Sequence, residues 1–145
     1  MNIVQATEKY EAWLGKRTRL LPDDLKLKHD SMRKGVFPFL RATFYRWSQL
    51  WPNVCPAAAK APVLLAVGDL HIENFGTWRD IEGRLIWGIN DFDEVSFMPY
   101  TIDLVRLGTS AHLAIDAAHL TIAKKDACDS ILKGYQNGWR QGGAR

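Results

Sequence analysis

The sequence predicts an α+β fold that is mostly helical and carries a small β-hairpin or sheet. Apolar residues recur at helical spacing before Pro52 and again after Pro99, which indicates helices in both regions. Between them lie short apolar runs bounded by glycines and polar clusters, as is typical of strands. The chain has 145 residues, of which 47% are hydrophobic and 24% charged, so it is long enough to bury a core. We therefore expect a single domain over residues 1–145.

Helix-start and helix-stop residues place the predicted helices. Pro22 begins the second helix, Gly35 follows it, and Pro52 and Pro56 are expected to end the third, which is rich in aromatic residues. Arg41 lies among those aromatic residues and needs an anionic partner if it is buried, whereas a surface arginine is the alternative. The helices are expected over about residues 2–16, 22–34, 37–51, 100–119 and 122–140.

Two strand regions are predicted between the helices. Residues 62–67 form a short apolar run before Gly68, which indicates a buried strand. Residues 75–78 and 84–89 are expected to form a hairpin that turns at Glu82 and Gly83. Because the hairpin doubles back, it should bring Asn74 and Asp91 to the same end.

Polar side chains are concentrated in the 28 residues from 67 to 94, directly after each apolar run. Polar groups at the ends of buried strands are a common way to build a site on a rigid support. Helix capping and turn formation would explain single residues such as Asp80 or Glu82, but they explain the whole group poorly. The group consists of Asp69, His71, Glu73, Asn74, Asp91, Asp93 and Glu94.

The charge distribution favours a cation at this site and argues against nucleic acid. Residues 1–50 hold ten Lys and Arg and five Asp and Glu, whereas residues 61–106 hold three and eight. Carboxylates at strand ends suit a divalent cation, and Mg²⁺ is the expected cofactor. Two cysteines without metal-type spacing, and no apolar run of signal-peptide or membrane-span length, predict a cytoplasmic protein that has no membrane partner.

The order of these residues suits phosphoryl transfer. That reaction needs a carboxylate to orient or deprotonate the attacking group, and carboxylate or amide oxygens to hold Mg²⁺ against the phosphates. Asp69, Asn74 and Asp91 supply these groups, with Asp93 as a further metal ligand. The spacing from Asp69 to Asn74 is by itself weak evidence for such a site. Two alternative functions therefore stay open. One is a metal-dependent phosphohydrolase that also uses His71 and Glu73. The other is a non-catalytic binding or regulatory fragment.

Two segments resemble known phosphotransferases. Gly68-Asp69-Leu70-His71 with Asn74, followed by Ile89-Asn90-Asp91-Phe92-Asp93, is similar to the catalytic and metal-binding loops of aminoglycoside phosphotransferases and choline kinases, which are protein-kinase-like. The resemblance implies that Asp69 is the catalytic base and that Asn74 and Asp91 bind the magnesium nucleotide. It also implies that Asp103, in PYTIDLVRL, braces the catalytic loop. Val67 stands where those enzymes commonly have a histidine.

A closer resemblance is to the bacterial family called domain of unknown function 2252 (DUF2252). It rests on FPFLRATFYRW, VGDLHIENFGTW, GRLIWGINDFDE and DLVRL. It makes His71 and Glu73 candidate supporting residues, in addition to Arg41. Kinases also need a glycine-rich loop and a strand lysine. The 66 residues before Val67 contain only Gly15 and Gly35, and longer members are similar to a permuted kinase with these parts downstream. The resemblance thus implies an amino-terminal, catalytic-lobe fragment of a kinase-like domain. ATP or another nucleotide would bind with the downstream segment, and the acceptor would be a small molecule or a protein.

Overall fold

The computed structural model describes residues 1–142, which divide into two compact units, residues 1–56 and the described residues from 57 onward. The first unit is helical, and the second combines strands with helices. The fold is therefore mixed α and β and mostly helical, as the sequence predicts. The expectation of a single domain stays a prediction.

The first unit contains four helices, α1 (Ile3–Leu14), α2 (Pro22–Met32), α3 (Val36–Ala42) and α4 (Phe44–Val54). The Asn2 side chain caps α1 by accepting a hydrogen bond from the Gln5 N–H at 3.0 Å. Pro22 occupies the first position of α2, where its missing N–H has no helical partner to lose. The first two predicted helices are confirmed.

The predicted third helix is wrong in two respects. It is divided into α3 and α4 at Thr43, whose backbone leaves the helical region and whose hydroxyl donates to the Phe39 carbonyl at 2.7 Å. Pro52 does not end α4 but lies inside it. The helix can continue for two residues past Pro52 because the Cys55 N–H still reaches the Trp51 carbonyl at 2.9 Å.

The second unit contains four strands and two long helices. They are β1 (Val63–Ala66), β2 (Phe75–Arg79), β3 (Leu85–Ile89), β4 (Ser96–Pro99), α5 (Thr101–Ala118) and α6 (Lys124–Arg140). The predicted hairpin is confirmed as β2 and β3, and both predicted helices are present. Strand β4 was not predicted.

The strands form two nested antiparallel pairs. In the inner pair β2 runs beside β3, with Phe75 opposite Ile89. In the outer pair β1 runs beside β4, with Ala66 opposite Ser96. The connections from β1 to β2 and from β3 to β4 are therefore brought to the same region, between the two pairs.

The prediction that β1 is buried is wrong for most of the strand. Only Ala66 is buried, whereas Leu65 and its partner Phe97 on β4 are 65% and 77% exposed. A short apolar run cannot by itself distinguish a covered strand from an uncovered one. Here both faces of most of β1 stay uncovered by other described residues, because the strand belongs to a two-stranded sheet in which only Ala66 is packed from above or below.

The core of the second unit lies where α5 packs on α6. Ala111 and Ile115 of α5 are buried with Ala127 of α6, and Ile72 from the β1–β2 connection packs against them. That connection is therefore anchored to the helices as well as to the strands. Within residues 1–142, none of the helices has the length and apolar character needed to cross a membrane.

Candidate functional site

The segment between β1 and β2, residues 67–74, is held by the first turn of α5. The Asp103 carboxylate accepts hydrogen bonds from the backbone N–H groups of Val67 at 2.7 Å and Gly68 at 2.9 Å. Each oxygen takes one bond, so the carboxylate fixes two successive peptide groups immediately after β1. This is the contact that the expected bracing role of Asp103 requires.

Two further residues of α5 contact the same segment. Arg106 donates to the Asp69 carboxylate, and the Ser110 hydroxyl accepts a hydrogen bond from the Ile72 N–H at 3.1 Å. Asp103, Arg106 and Ser110 are separated by three and four positions, so they lie along one face of the helix. This face of α5 therefore positions most of the length of the segment.

Asp69 and Arg106 form a partly buried ion pair. Both the Nε and the Nη2 of Arg106 donate to Asp69 Oδ1, the former at 2.8 Å, and the Arg106 side chain is fully buried. Burial raises the pKa of Asp69 to about 6, although Arg106 lowers it, and the nearby carboxylates of Glu94 and Asp91 raise it further. A carboxyl group with a pKa near neutrality can exchange a proton under physiological conditions.

The guanidinium group interacts with more than one acid. Burial lowers the pKa of Arg106, while Asp69, Glu94 and Asp103 raise it. Burial likewise raises the pKa of Asp103, against the effect of its bonds to Gly68 and Val67. The centre of the site is thus one buried cation among several carboxylates.

His71 and Asn74 close a tight turn at the end of the segment. Asn74 Oδ1 accepts from the His71 N–H at 2.7 Å, and the Asn74 N–H donates to the His71 carbonyl at 3.0 Å. The residues are 2% and 3% exposed, respectively. Asn74 Oδ1, the atom that would bind a metal, therefore also holds the turn, whereas Glu73 between them is exposed.

The second polar segment, residues 90–95 between β3 and β4, lies against the first. The Asn90 N–H donates to the Asn74 carbonyl at 2.9 Å, which extends the pairing of the hairpin. At Gly68, whose φ is +93°, an added Cβ would lie 2.6 Å from the Glu94 carbonyl oxygen. Glycine is therefore required for the two segments to approach this closely. The expected meeting of the two polar clusters is present.

The acidic residues of the second segment face solvent. Asp91, Asp93 and Glu94 are exposed, and Asp91 Oδ1 accepts from the Asp93 N–H at 3.3 Å. The part of the chain that the structure describes contains no group of three or more His, Cys, Asp or Glu side chains arranged for a metal ion. Exposed carboxylates nevertheless fit Mg²⁺, which commonly takes one or two protein carboxylates together with phosphate and water oxygens.

Arg106 and Ser110 were not predicted as site residues. Their spacing from Asp103 along a helix was the signal that could have identified them. Arg41, a candidate supporting residue, is exposed on α3 in the first unit.

Comparison with models of protein families gives a match over most of the chain. The model of a family described as "Uncharacterized protein conserved in bacteria (DUF2252)" matches residues 19–144. Neither a comparison with curated proteins nor one with solved structures gave a match.

Proposed function

Because this chain belongs to the DUF2252 family of bacterial proteins, whose description gives no activity, we propose a function from the site itself. The chain carries the catalytic and metal-binding segments of a kinase-like phosphotransferase domain. That domain would transfer a phosphoryl group from a nucleotide to an acceptor that is a small molecule or a protein.

The observation that supports this proposal is the meeting of Asp69 with the exposed carboxylates of the second segment. Asp91 and Glu94 lie close enough to Asp69 to raise its pKa, and the Asn90–Asn74 hydrogen bond joins the two segments. Phosphoryl transfer requires a proton acceptor beside a metal-binding carboxylate, because the attacking hydroxyl and the metal-bound phosphate must meet.

Each residue then has a distinct role. Asp69 accepts the proton of the attacking group, since its carboxyl titrates near neutrality and is held in place by Arg106. Asp91 binds Mg²⁺, with Asp93 and Asn74 as further ligands. When bound, the metal ion would neutralise charge on the phosphate oxygens.

His71 supports the turn that carries Asn74. Its backbone N–H donates to Asn74 Oδ1 at 2.7 Å, and the residue is 2% exposed. This structural role suits either reaction, so the transferase and the phosphohydrolase are distinguished by experiment.

Metal binding tests the proposal directly. Titration of Mg²⁺ into isotope-labelled protein should shift the NMR signals of residues 69–74 and 90–94, with a dissociation constant of about 1 mM or weaker, because few protein ligands are present. Asp91→Ala should abolish these shifts. Asp126→Ala, which removes an exposed carboxylate from α6, is the matched control and should leave them unchanged.

Unchanged Mg²⁺ binding in Asp91→Ala would place the metal elsewhere and overturn the assignment. The reaction itself is tested by transfer of labelled phosphate from ATP in the full-length protein. Loss of transfer in Asp69→Asn with Mg²⁺ binding retained is the expected result. Release of phosphate without an acceptor would instead indicate the hydrolase.

A further inference from the structure

A second pair of reactive groups lies between α5 and α6, on a different face of α5 from the one that holds residues 67–74. His112 Nε2 is 3.2 Å from Cys128 Sγ, within hydrogen-bonding range for a sulfur atom. Cys128 follows the buried Ala127 on α6, and it lies opposite Gly108, where an added Cβ would be 3.6 Å from the sulfur. The absence of a side chain at Gly108 leaves room for the thiol against α5.

From this geometry we propose that Cys128 and His112 form a thiol–imidazole pair that makes Cys128 a site of covalent modification by low-molecular-weight disulfides. The thiolate is the nucleophile of a cysteine, and a neighbouring imidazole can take the thiol proton as the sulfur reacts. The inference does not depend on the proposed phosphotransferase function.

The pair is accessible to a small reagent. Both side chains are partly exposed, and they line a cavity of about 300 Å³ between the two helices. Leu104, Val105 and Leu132 also line this cavity, so it can receive the carbon atoms next to the reagent's sulfur. This volume lies at the lower end of the range found for small-molecule binding sites.

The reaction is a thiol–disulfide exchange that needs no further oxidant. The Cys128 thiol gives its proton to His112 Nε2, and the sulfur attacks one sulfur of the disulfide. A new S–S bond forms to Cys128 as the S–S bond of the reagent breaks. The second sulfur leaves as a thiolate and receives the proton from His112. Cys128 is thereby oxidised to a mixed disulfide. The other half of each disulfide molecule is reduced to a thiol.

The chain contains its own reference thiol. Cys55 is also partly exposed, but it ends α4 and makes no side-chain hydrogen bond with the residues that the structure describes. The two cysteines of one molecule can therefore be compared under identical conditions. If Cys128 only fills space between helices, it should react no faster than Cys55.

The experiment follows the modification of each cysteine by oxidised glutathione, using peptide mapping by mass spectrometry. Each rate in the folded chain is divided by the rate of the same cysteine in urea, which corrects for local sequence. We expect this ratio to be about 10-fold or more higher for Cys128 than for Cys55. Such an increase is modest compared with the rate acceleration that a positioned general base can give. His112→Gln should reduce the Cys128 ratio to that of Cys55.

His119→Asn is the control, because it removes the histidine that directly follows α5, at a position where asparagine tolerates the left-handed backbone. It should leave the Cys128 rate unchanged. A variant that unfolds would show both cysteines at their rates in urea, which separates loss of folding from loss of the base. Equal ratios for the two cysteines in the unaltered chain, or a folded His112→Gln that keeps the fast rate, would overturn the proposal.

Discussion

Burial outweighs the opposing effect of Arg106 on the Asp69 carboxyl group. Removal from water favours its neutral form, the Arg106 guanidinium favours its charged form, and Glu94 and Asp91 favour the neutral form again. The resulting pKa of about 6 means that the carboxyl group is largely ionised at pH 7 but is protonated by a small fall in pH. A proton acceptor in phosphoryl transfer needs this property.

Arg106→Met should raise the pKa of Asp69 above 6, because the variant removes the charge that stabilises the carboxylate. The measurement is the pH titration of the Asp69 carboxyl carbon by NMR, with Asp69→Asn used to assign the signal. A lower or unchanged midpoint would show that Arg106 does not stabilise the ionised form. The proposed transferase activity of the domain should rise with pH through the same midpoint, because only ionised Asp69 accepts a proton.

The same shift has a consequence for stability. The folded-state pKa of Asp69 is raised from 3.8, so folding favours the protonated form. The contribution of Asp69 to the free energy of unfolding is therefore fully present below pH 3.8. It is lost as the pH rises through about 6.

Asp103→Ala should lower the free energy of unfolding by about 1–3 kcal/mol, because it leaves the Val67 and Gly68 N–H groups without their acceptor. Urea denaturation measures the difference. The sequence alone predicts that Asp69→Asn leaves stability nearly unchanged, but the bond from Asp69 to buried Arg106 makes that variant a poor reference. Exposed Asp126→Ala is the better control, and equal losses in both alanine variants would contradict a bracing role for Asp103.

At the scale of elements, the hairpin was predictable because its signals are local. A glycine turn lies between two apolar runs, and β2 and β3 pair with close neighbours in sequence. Strand β4 gives no comparable signal, since it has only four residues and ends in a proline. Its strand conformation depends on β1, some 30 residues away, and such distant pairing cannot be inferred from local periodicity.

The site residues likewise divide into those that local sequence identifies and those that only packing identifies. Asp69, Asn74 and Asp91 were identified because each follows an apolar run in a polar cluster. Arg106 and Ser110 lie within a helix that also packs the core, so their function depends on which face of α5 meets residues 67–74. That orientation is set by packing of Ala111 and Ile115 on α6, which involves contacts between distant parts of the chain.

Gly68→Ala should destabilise the chain more than Gly83→Ala. Both glycines have positive φ, of +93° and +79°, so each variant should lose roughly 1–2 kcal/mol from backbone strain alone. At Gly68 the new methyl group would also overlap the Glu94 carbonyl, whereas nothing lies within 4 Å at Gly83. The overlap should add about 1–3 kcal/mol, the usual range for overpacking.

Urea denaturation of the two glycine variants measures this difference, and NMR shifts at residues 90–95 report whether the second segment moves. We expect such shifts in Gly68→Ala and not in Gly83→Ala. Equal destabilisation of the two variants would mean that close approach of Glu94 to Gly68 is not needed for folding.

At the scale of the whole molecule, charge is divided along the chain in a way that suits metal ions better than bare phosphates. Residues 61–106 contain eight acids and three arginines. Of these arginines, Arg106 is buried against Asp69, while Arg79 and Arg84 donate to groups of the hairpin turn. The two polar segments therefore present carboxylates at their surface, and neither segment contains a lysine.

The 145-residue chain should consequently bind ATP weakly and show no phosphotransferase activity alone. Kinase-like sites neutralise a triphosphate with backbone amides, a lysine and metal together, whereas Asp91, Asp93 and Glu94 would repel its oxygens. Isothermal calorimetry with ATP and Mg²⁺ should give a dissociation constant in the range of about 1 mM or weaker. The same titration without Mg²⁺ is the control and should show still weaker binding, because the metal ion is what offsets the repulsion between carboxylates and phosphates. Micromolar binding without Mg²⁺ would contradict this electrostatic argument, and it would require a phosphate-binding group outside the two polar segments, with the basic residues 26–34 as the first region to substitute.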